Sequence, residues 1–400
     1  MKQITVKNKW LIGVLSGTFA LALIGGFGQV SADATAANNY GLTVINTQRA
    51  QPSATVQADD GLLYTVNAGE ASGDVTVTNL VTKKVVKHIS LGNDLAKGKI
   101  IAPDACVTDG KYVYAIGGYY RSVFTIDTAT QKVVAQVDSP EGAESDASSY
   151  INATIDKQHH LIYIGREDEG IDVYNTATKK YEKTISVVKA IAGQSTFKDA
   201  IVQQVFYDDG VVYFGGEAHT KGMNGGAGAF VGEYNVTTKK VQGYWFPGED
   251  GSPFPAQILQ QTNGVQGLDV VHFGQKKFLY ETSHVRQGEL NVFDLTTKKV
   301  VATYNLYSKT LKGRPHSVVT LPNNKVGVGV SGNDGSHLSI IDLTQNTNTG
   351  GKLVKDYLVV PGMDYNNKVN LYTANQGKTL ISPDRTAADG KLWIYNNPSN

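Results

Sequence analysis

Val75-Thr-Val-Thr-Asn-Leu-Val-Thr-Lys-Lys-Val-Val-Lys87 decides the fold, because the phrase returns along the chain. It reappears as Val123-Phe-Thr-Ile-Asp-Thr-Ala-Thr-Gln-Lys-Val-Val-Ala135, Ile171-Asp-Val-Tyr-Asn-Thr-Ala-Thr-Lys-Lys180, Val231-Gly-Glu-Tyr-Asn-Val-Thr-Thr-Lys-Lys240 and Leu290-Asn-Val-Phe-Asp-Leu-Thr-Thr-Lys-Lys299. A diverged copy starts at Leu338, and a truncated one is Leu392-Trp-Ile-Tyr-Asn396. Apolar and polar residues alternate up to an Asn or Asp, a Thr-rich turn follows, and a β-branched run returns. That is an antiparallel hairpin. The Asx and Thr side chains can bond their own backbone and hold the reversal closed.

A second hairpin precedes each phrase. Leu62-Leu-Tyr-Thr-Val-Asn67, Tyr112-Val-Tyr-Ala-Ile-Gly117, Leu161-Ile-Tyr-Ile-Gly165, Val211-Val-Tyr-Phe-Gly-Gly216, Phe278-Leu-Tyr-Glu281 and Val326-Gly-Val-Gly-Val330 form that series. Asp59-Asp60-Gly61, Asp109-Gly110 and Asp208-Asp209-Gly210 supply turns that want positive φ. Two hairpins make four strands, and a unit every ~46 to 60 residues with no helical period predicts an all-β, seven-bladed β-propeller of antiparallel blades. The units are expected over 58–91, 104–137, 150–186, 199–245, 262–305, 314–358 and 366–397. The last lacks a fourth strand after Tyr395. An orphan strand, Leu42-Thr-Val-Ile-Asn46 or Ala54-Thr-Val56, is expected to pair into it and close the ring, which removes an exposed edge. A uniform repeat argues against stacked sheets or a sandwich.

Leu63-Tyr-Thr-Val-Asn67 followed by Val75 to Val86 resembles the YVTN-type β-propeller repeat of secreted and surface-layer proteins. Leu161 to Gly165 with Ile171 to Lys180, and Val123 to Ala135, are similar to it as well. The resemblance covers nearly all the chain beyond Asn39 and implies the propeller fold. It does not imply one function, since that family mixes binding modules, surface proteins and relatives of lactonases. Gly327 and Gly329, together with a ragged seventh unit, depart from the pattern.

The composition fits a large core: 41% of the 400 residues are hydrophobic and 18% charged. Thirty-seven Lys and Arg against 36 Asp and Glu leave no net field, which argues against non-specific nucleic-acid binding. A lone cysteine, Cys106, excludes a disulfide scaffold or a CxxC site. On the innermost strand it reads as a small buried hydrophobe. Lys2, Lys7 and Lys9, the apolar stretch from Trp10 to Phe27, and Val30-Ser31-Ala32 predict a signal peptide over 1–32, with Asp33 opening a single domain over 33–400. Glycine breaks make the apolar run short for a bilayer span. The expected location is therefore secreted or extracellular, with no membrane span after the leader is removed.

The a–b and c–d turns emerge on one face of a propeller, and the b–c and d–a connections on the other. The segments from Glu217 to Ala229 and from Phe246 to Thr262 are the longest insertions, and both belong to the second face. Long loops on a rigid scaffold are where binding residues sit. The ligand-binding candidates there are Tyr119, Tyr120, Trp245, Phe254, Arg314 and His316; flat aromatics among Asn, Gln and Gly suit sugar rings or peptide backbones. Plain packing of loops over blade edges explains the aromatics as well. Arg121 and Arg166 either charge the mouth or pair with Glu144 and Glu167. Glu217 with His219, and Glu281 with His284, follow what read as equivalent strands, and could hold a divalent metal or act as acid–base pairs. No HExxH, EF-hand, P-loop or GxSxG pattern accompanies them. Asp104, Asn152, Gln203 and Gln266 on the inner strands are mostly neutral amides, a poor cage for a hard cation. The expected function is a secreted propeller, with no cofactor, that binds an extracellular or cell-surface ligand, a wall glycan or a protein. The alternative is a lactonase-like, metal-dependent hydrolase with its site at the channel mouth.

Overall fold

The structure is a computed structural model that describes residues 42–68, 73–92, 103–117, 121–140, 150–166, 170–188, 190, 199–219, 227–245, 264–283, 289–306, 314–332, 335–361, 369–385 and 390–396. Its strands form seven four-stranded antiparallel sheets, each built from consecutive strands lettered a to d outward, except the last. Blade seven takes a, b and c from Tyr372–Ala374, Thr379–Asp384 and Lys391–Asn396, and its outer strand from Thr43–Asn46. The closing register runs Thr43↔Ile394, Val44↔Trp393, Ile45↔Leu392 and Asn46↔Lys391. The expected closure is thus present, with one refinement. Ala54 lies in Pro52–Gln57, which is strand a of blade one, so that blade starts six residues before the expected 58.

Each blade is sticky on both faces, and the core lies between blades. Tyr64, Val75 and Val77 of blade one pack on Cys106, Ala115 and Phe124 of blade two; Tyr213 and Val231 of blade four pack on Leu279 and Phe293 of blade five. The second strand repeats a tyrosine that is wholly or almost wholly buried: Tyr64, Tyr114, Tyr163, Tyr213 and Tyr280. A buried phenol needs a partner for its hydroxyl. The Asp-Gly turn supplies one, since Tyr64 donates to Asp60 at 2.7 Å and Tyr114 donates to Asp109 at 2.8 Å. Cys106 is buried in the same way, and desolvation pushes its thiol up, as befits an inert hydrophobe.

One level above that tyrosine, strands c and d carry a polar pair in four blades. These are Thr76 with His88 (3.2 Å), Thr184 with Asp172 (2.6 Å), Thr303 with Asn291 (2.8 Å) and Ser339 with Asp356 (2.8 Å). Blade four replaces the pair with Gly232 opposite Gly243 and buries Phe214 against Phe230, rings at 63°. Gly329 in blade six is explained by approach: a Cβ there would lie 2.5 Å from the Val369 carbonyl of blade seven.

The c–d turns share one geometry. The Asx side chain accepts from the next turn amides: Asn79 from Val81 and Thr82 (both 2.9 Å), Asn175 from Ala177 (3.0 Å) and Thr178 (2.9 Å), Asn235 from Thr237 (3.1 Å) and Thr238 (2.8 Å). Closing this turn forces its last residue into the left-handed region, and the residues found there are Lys83, Gln131, Lys179, Lys239 and Lys298, with φ of 57, 51, 55, 59 and 57°. That conformation costs a residue with a Cβ about 1 kcal/mol.

Candidate functional site

Six of the inner strands contain a β-bulge at the same height. The pairing skips Ser53 in blade one, Asp104 in two, Ile151 and Asn152 in three, Gln203 in four, Gln266 in five and His316 in six. A bulge inserts a residue into one strand and re-aims its side chain, and bulges gather at rims and sites. The result is a ring of polar residues where the innermost strands approach the b–c and d–a face. It includes every amide that the sequence placed on these strands.

The inner strands also spend their polar groups on the next blade. Ser53 Oγ donates to the Pro103 carbonyl (2.9 Å), Asn152 Oδ1 accepts from Val205 N (3.2 Å), and Thr154 Oγ1 accepts from Tyr207 N (3.0 Å). Ser317 Oγ donates to the Val369 carbonyl (2.6 Å) and accepts from Leu371 N (2.9 Å), and Tyr372 donates to the Ser53 carbonyl (3.1 Å). These bonds stitch neighbouring blades, each adding about 1 kcal/mol. Arg385 reaches from blade seven to Asp104 of blade two (2.8 Å), skipping over blade one. That contact has no sequence signal, because nothing local links residues so far apart.

Glu217 and Glu281 do not occupy matched positions. Gly216 and Ser283 are the equivalent residues, each facing the position before its bulge, Val202 and Val265. Glu217 lies one residue beyond that point, and Glu281 two before it. A three-residue offset separates them by ~10 Å along the strand. Glu217 is not in a loop either: strand b of blade four runs Val211–His219 and pairs Glu217 with both Ile201 and Ala229. Glu281 is 0% exposed and accepts from Asn291 Nδ2 (3.1 Å), while its Oε1 has no partner. Burial, reinforced by the charge of Glu289, pushes its carboxyl well above the ordinary range. Among the described residues, no three of His, Cys, Asp and Glu are grouped so as to hold a metal ion.

The other candidates are placed unequally. His219 ends its strand opposite Asp199 and Ala227, and Trp245 ends strand d of blade four opposite Phe230. Arg314 opens strand a of blade six, half-buried opposite Ser331. His316 is buried rather than presented at the mouth, with Nε2 2.8 Å from Ser331 Oγ. Tyr119, Tyr120, Phe254 and His284 lie outside the described residues, as do Glu144 and Glu167. Arg166 Nη1 donates to Asp172 at 3.0 Å inside blade three.

Asp269, on strand a of blade five, is buried in the seam with blade six. Its Oδ2 accepts from Thr320 N (2.6 Å) and Thr320 Oγ1 (2.9 Å), tying blade five to blade six. Desolvation raises its pKa to about 7 despite those bonds. A carboxyl raised in the folded state contributes stability fully below its unfolded value near 4, and loses it as pH rises through about 7. Thermal unfolding of wild type and Asp269→Asn across pH 4 to 8 should therefore diverge by a few kcal/mol, with the wild type losing ground as pH rises. Parallel curves would place the ionised form in the seam at no cost.

No family model matches the chain, and no curated protein matches it. The solved structures are similar in fold. A chain titled "Kuenenia stuttgartiensis Hydrazine Synthase" matches with TM-score 0.61 at 14% identity, covering 94% of this chain and all of the other. A chain of a mitotic checkpoint complex matches with TM-score 0.62 at 12% identity over 94% and 99%. The WD40 repeats of RRP9 match with TM-score 0.61 at 12% identity over 89% and 97%. At such identities the likeness concerns the WD40-like propeller fold alone.

Proposed function

We propose that this chain is a secreted YVTN-type propeller that recognises an extracellular or cell-surface ligand, a wall glycan or a protein, through its b–c and d–a face. More broadly, it is an interaction scaffold. One observation carries the reading: Ser53, Asn152, Thr154, Asp269 and Ser317 of the innermost strands are committed to blade-to-blade bonds, so this part of the ring is a frame, and variation is left to the connections around it. The connection between Trp245 and Val265 is the longest between successive blades. The metal-hydrolase alternative loses its main support, because Glu217 and Glu281 are offset and burial within its blade disfavours the charged form of Glu281. Elemental analysis of the purified protein remains its direct test, and a stoichiometric divalent metal would restore it. N-terminal sequencing of the secreted product tests the leader, with Asp33 the expected first residue.

The face is tested with isolated cell walls and wall-bound proteins of the producing cell, in about 0.5 M NaCl so that exposed charges are screened. Trp245→Ala with Phe254→Ala should weaken adsorption by about tenfold, as loss of interface aromatics does. Lys179→Ser with Lys180→Ser should leave it unchanged. The reverse pattern would move the ligand to the opposite face.

A further inference from the structure

We propose that the amides of Asn152, Gln203 and Gln266 form a subsite at the channel mouth for the uncharged terminal sugar of a glycan. This subsite lies on the ligand face proposed above and depends on that reading.

The three residues are bulge residues of blades three, four and five, so they stand at one height on consecutive inner strands. All are half-buried. The other bulge residues have their hydrogen bonds taken up within the protein. Ser53 donates to the Pro103 carbonyl (2.9 Å), Asp104 accepts from Arg385 (2.8 Å), and His316 meets Ser331 Oγ (2.8 Å). Asn152 commits only its Oδ1, to Val205 N (3.2 Å), which leaves the Nδ2 donor over. Gln203 Oε1 is buried without a partner, so close to Gly264 that a Cβ there would lie 2.3 Å from it. Gln266 makes no side-chain hydrogen bond among the described residues. A buried acceptor left open costs free energy unless water or a ligand completes it.

This spare capacity falls in the sector where the two longest insertions emerge. One joins His219 to Ala227 inside blade four, and the other joins Trp245 of blade four to Val265 of blade five. Long loops and open hydrogen-bonding groups are independent features, and both point to the same part of the mouth.

The chemistry selects the occupant. A carboxamide sets a donor beside an acceptor on one planar group, which matches a pair of adjacent sugar hydroxyls. Asp104 and Arg385 neutralise each other, and Asp199, Glu217 and Arg314 on adjoining strand segments have partners as well. A peptide terminus or an acidic sugar therefore finds no free counter-charge among the described residues of the mouth, and would lose hydration without recompense. An extended peptide could pair along the open edge of an inner strand, but the bulges interrupt the ladder at this height. A neutral sugar needs neither a counter-charge nor a continuous ladder. A mouth on the axis of a ring is reached end-on, which favours the terminal sugar over an internal one.

The probe is an array of neutral oligosaccharides that share internal repeats and differ in the terminal sugar, with titration calorimetry on the tightest binder. Binding should follow the terminal sugar. Gln203→Ala with Gln266→Ala should weaken it by about tenfold, since each neutral hydrogen bond lost is worth a factor of a few. The melting temperature of this variant should hold or rise, because an open buried acceptor has been removed. Asn152→Asp keeps the oxygen that Val205 N needs and loses the donor, so it should weaken binding about threefold. Ser53→Ala removes a blade-to-blade bond alone; it should lower the melting temperature and leave the affinity unchanged. An array that retains no oligosaccharide, selectivity set by internal linkage, or amide variants that bind as wild type does would each overturn the proposal. So would tighter binding of a short extended peptide or of an oligosaccharide ending in a uronic acid. If Trp245→Ala with Phe254→Ala weakens wall adsorption while the amide variants bind sugar as wild type does, the ligand face stands and the amide subsite alone falls.

Discussion

Deleting residues 33–50 is expected to lower the melting temperature by more than ~10 °C and to cause aggregation, at a cost of ~5 kcal/mol. The segment removed contains the closing strand. Ile45, buried to 4% exposure, packs with Leu63 of blade one and Ile381, Leu392 and Ile394 of blade seven. Thr47 N donates to the Gly390 carbonyl (3.0 Å), and Arg49 pairs with Asp74 of blade one. Losing these bonds opens the ring between its first and last blades and bares the edge of Lys391–Asn396. The deletion must stop before Pro52, because extending it to 57 would also remove the inner strand of blade one. Gly390→Ala is a finer probe of the same joint. The φ of Gly390 is +63°, and a Cβ there would collide with the Arg49 carbonyl and Thr47 Oγ1. Calorimetry with size-exclusion chromatography reads both variants, and a truncated protein that stays monomeric at an unchanged melting temperature would contradict closure by this strand.

Arg166→Met is expected to cost ~3–5 kcal/mol, while Arg166→Met with Asp172→Leu recovers most of the loss. The side chains of this pair are 6% and 3% exposed, so removing the guanidinium strands a carboxylate away from water. Thr184 Oγ1 also donates to Asp172 (2.6 Å), but one hydroxyl does not replace a cation. Replacing both charges with apolar groups removes the desolvation problem along with the attraction. Denaturant midpoints of the wild type, the single variants and the double variant measure the coupling. A loss below ~1 kcal/mol for Arg166→Met would mean that water reaches the pair.

The two experiments probe different ranges of information. Strand closure is readable from the chain: Leu392 to Asn396 begins a hairpin that has no partner strand after it, and Thr43 to Asn46 is a strand with no hairpin before it. The contact of Arg166 with Asp172 is not readable, since nothing local marks Asp172, which shares the buried side of the same sheet. Glu217 and Glu281 show the same limit. Both follow a Tyr-containing strand, but the tyrosines are Tyr213 and Tyr280, four residues before one carboxylate and one before the other. That unequal spacing held the correction in plain view. The bulge that sets the reference height, however, appears only when strands a and b are paired.

The amino-acid order by itself determined the repeat, the number of blades, the turn chemistry and the strand that closes the ring. Those features rest on alternation and on Asx, Gly and Thr turn residues, which act over a few neighbouring positions. The tertiary structure decided which polar groups of the inner ring stitch blade to blade, and that Glu281 is buried within its blade beside Asn291. Each of these depends on register and on the packing of one blade against the next. A shift of a single residue turns a side chain to the other side of its sheet, and burial between blades then sets its charge and its partner.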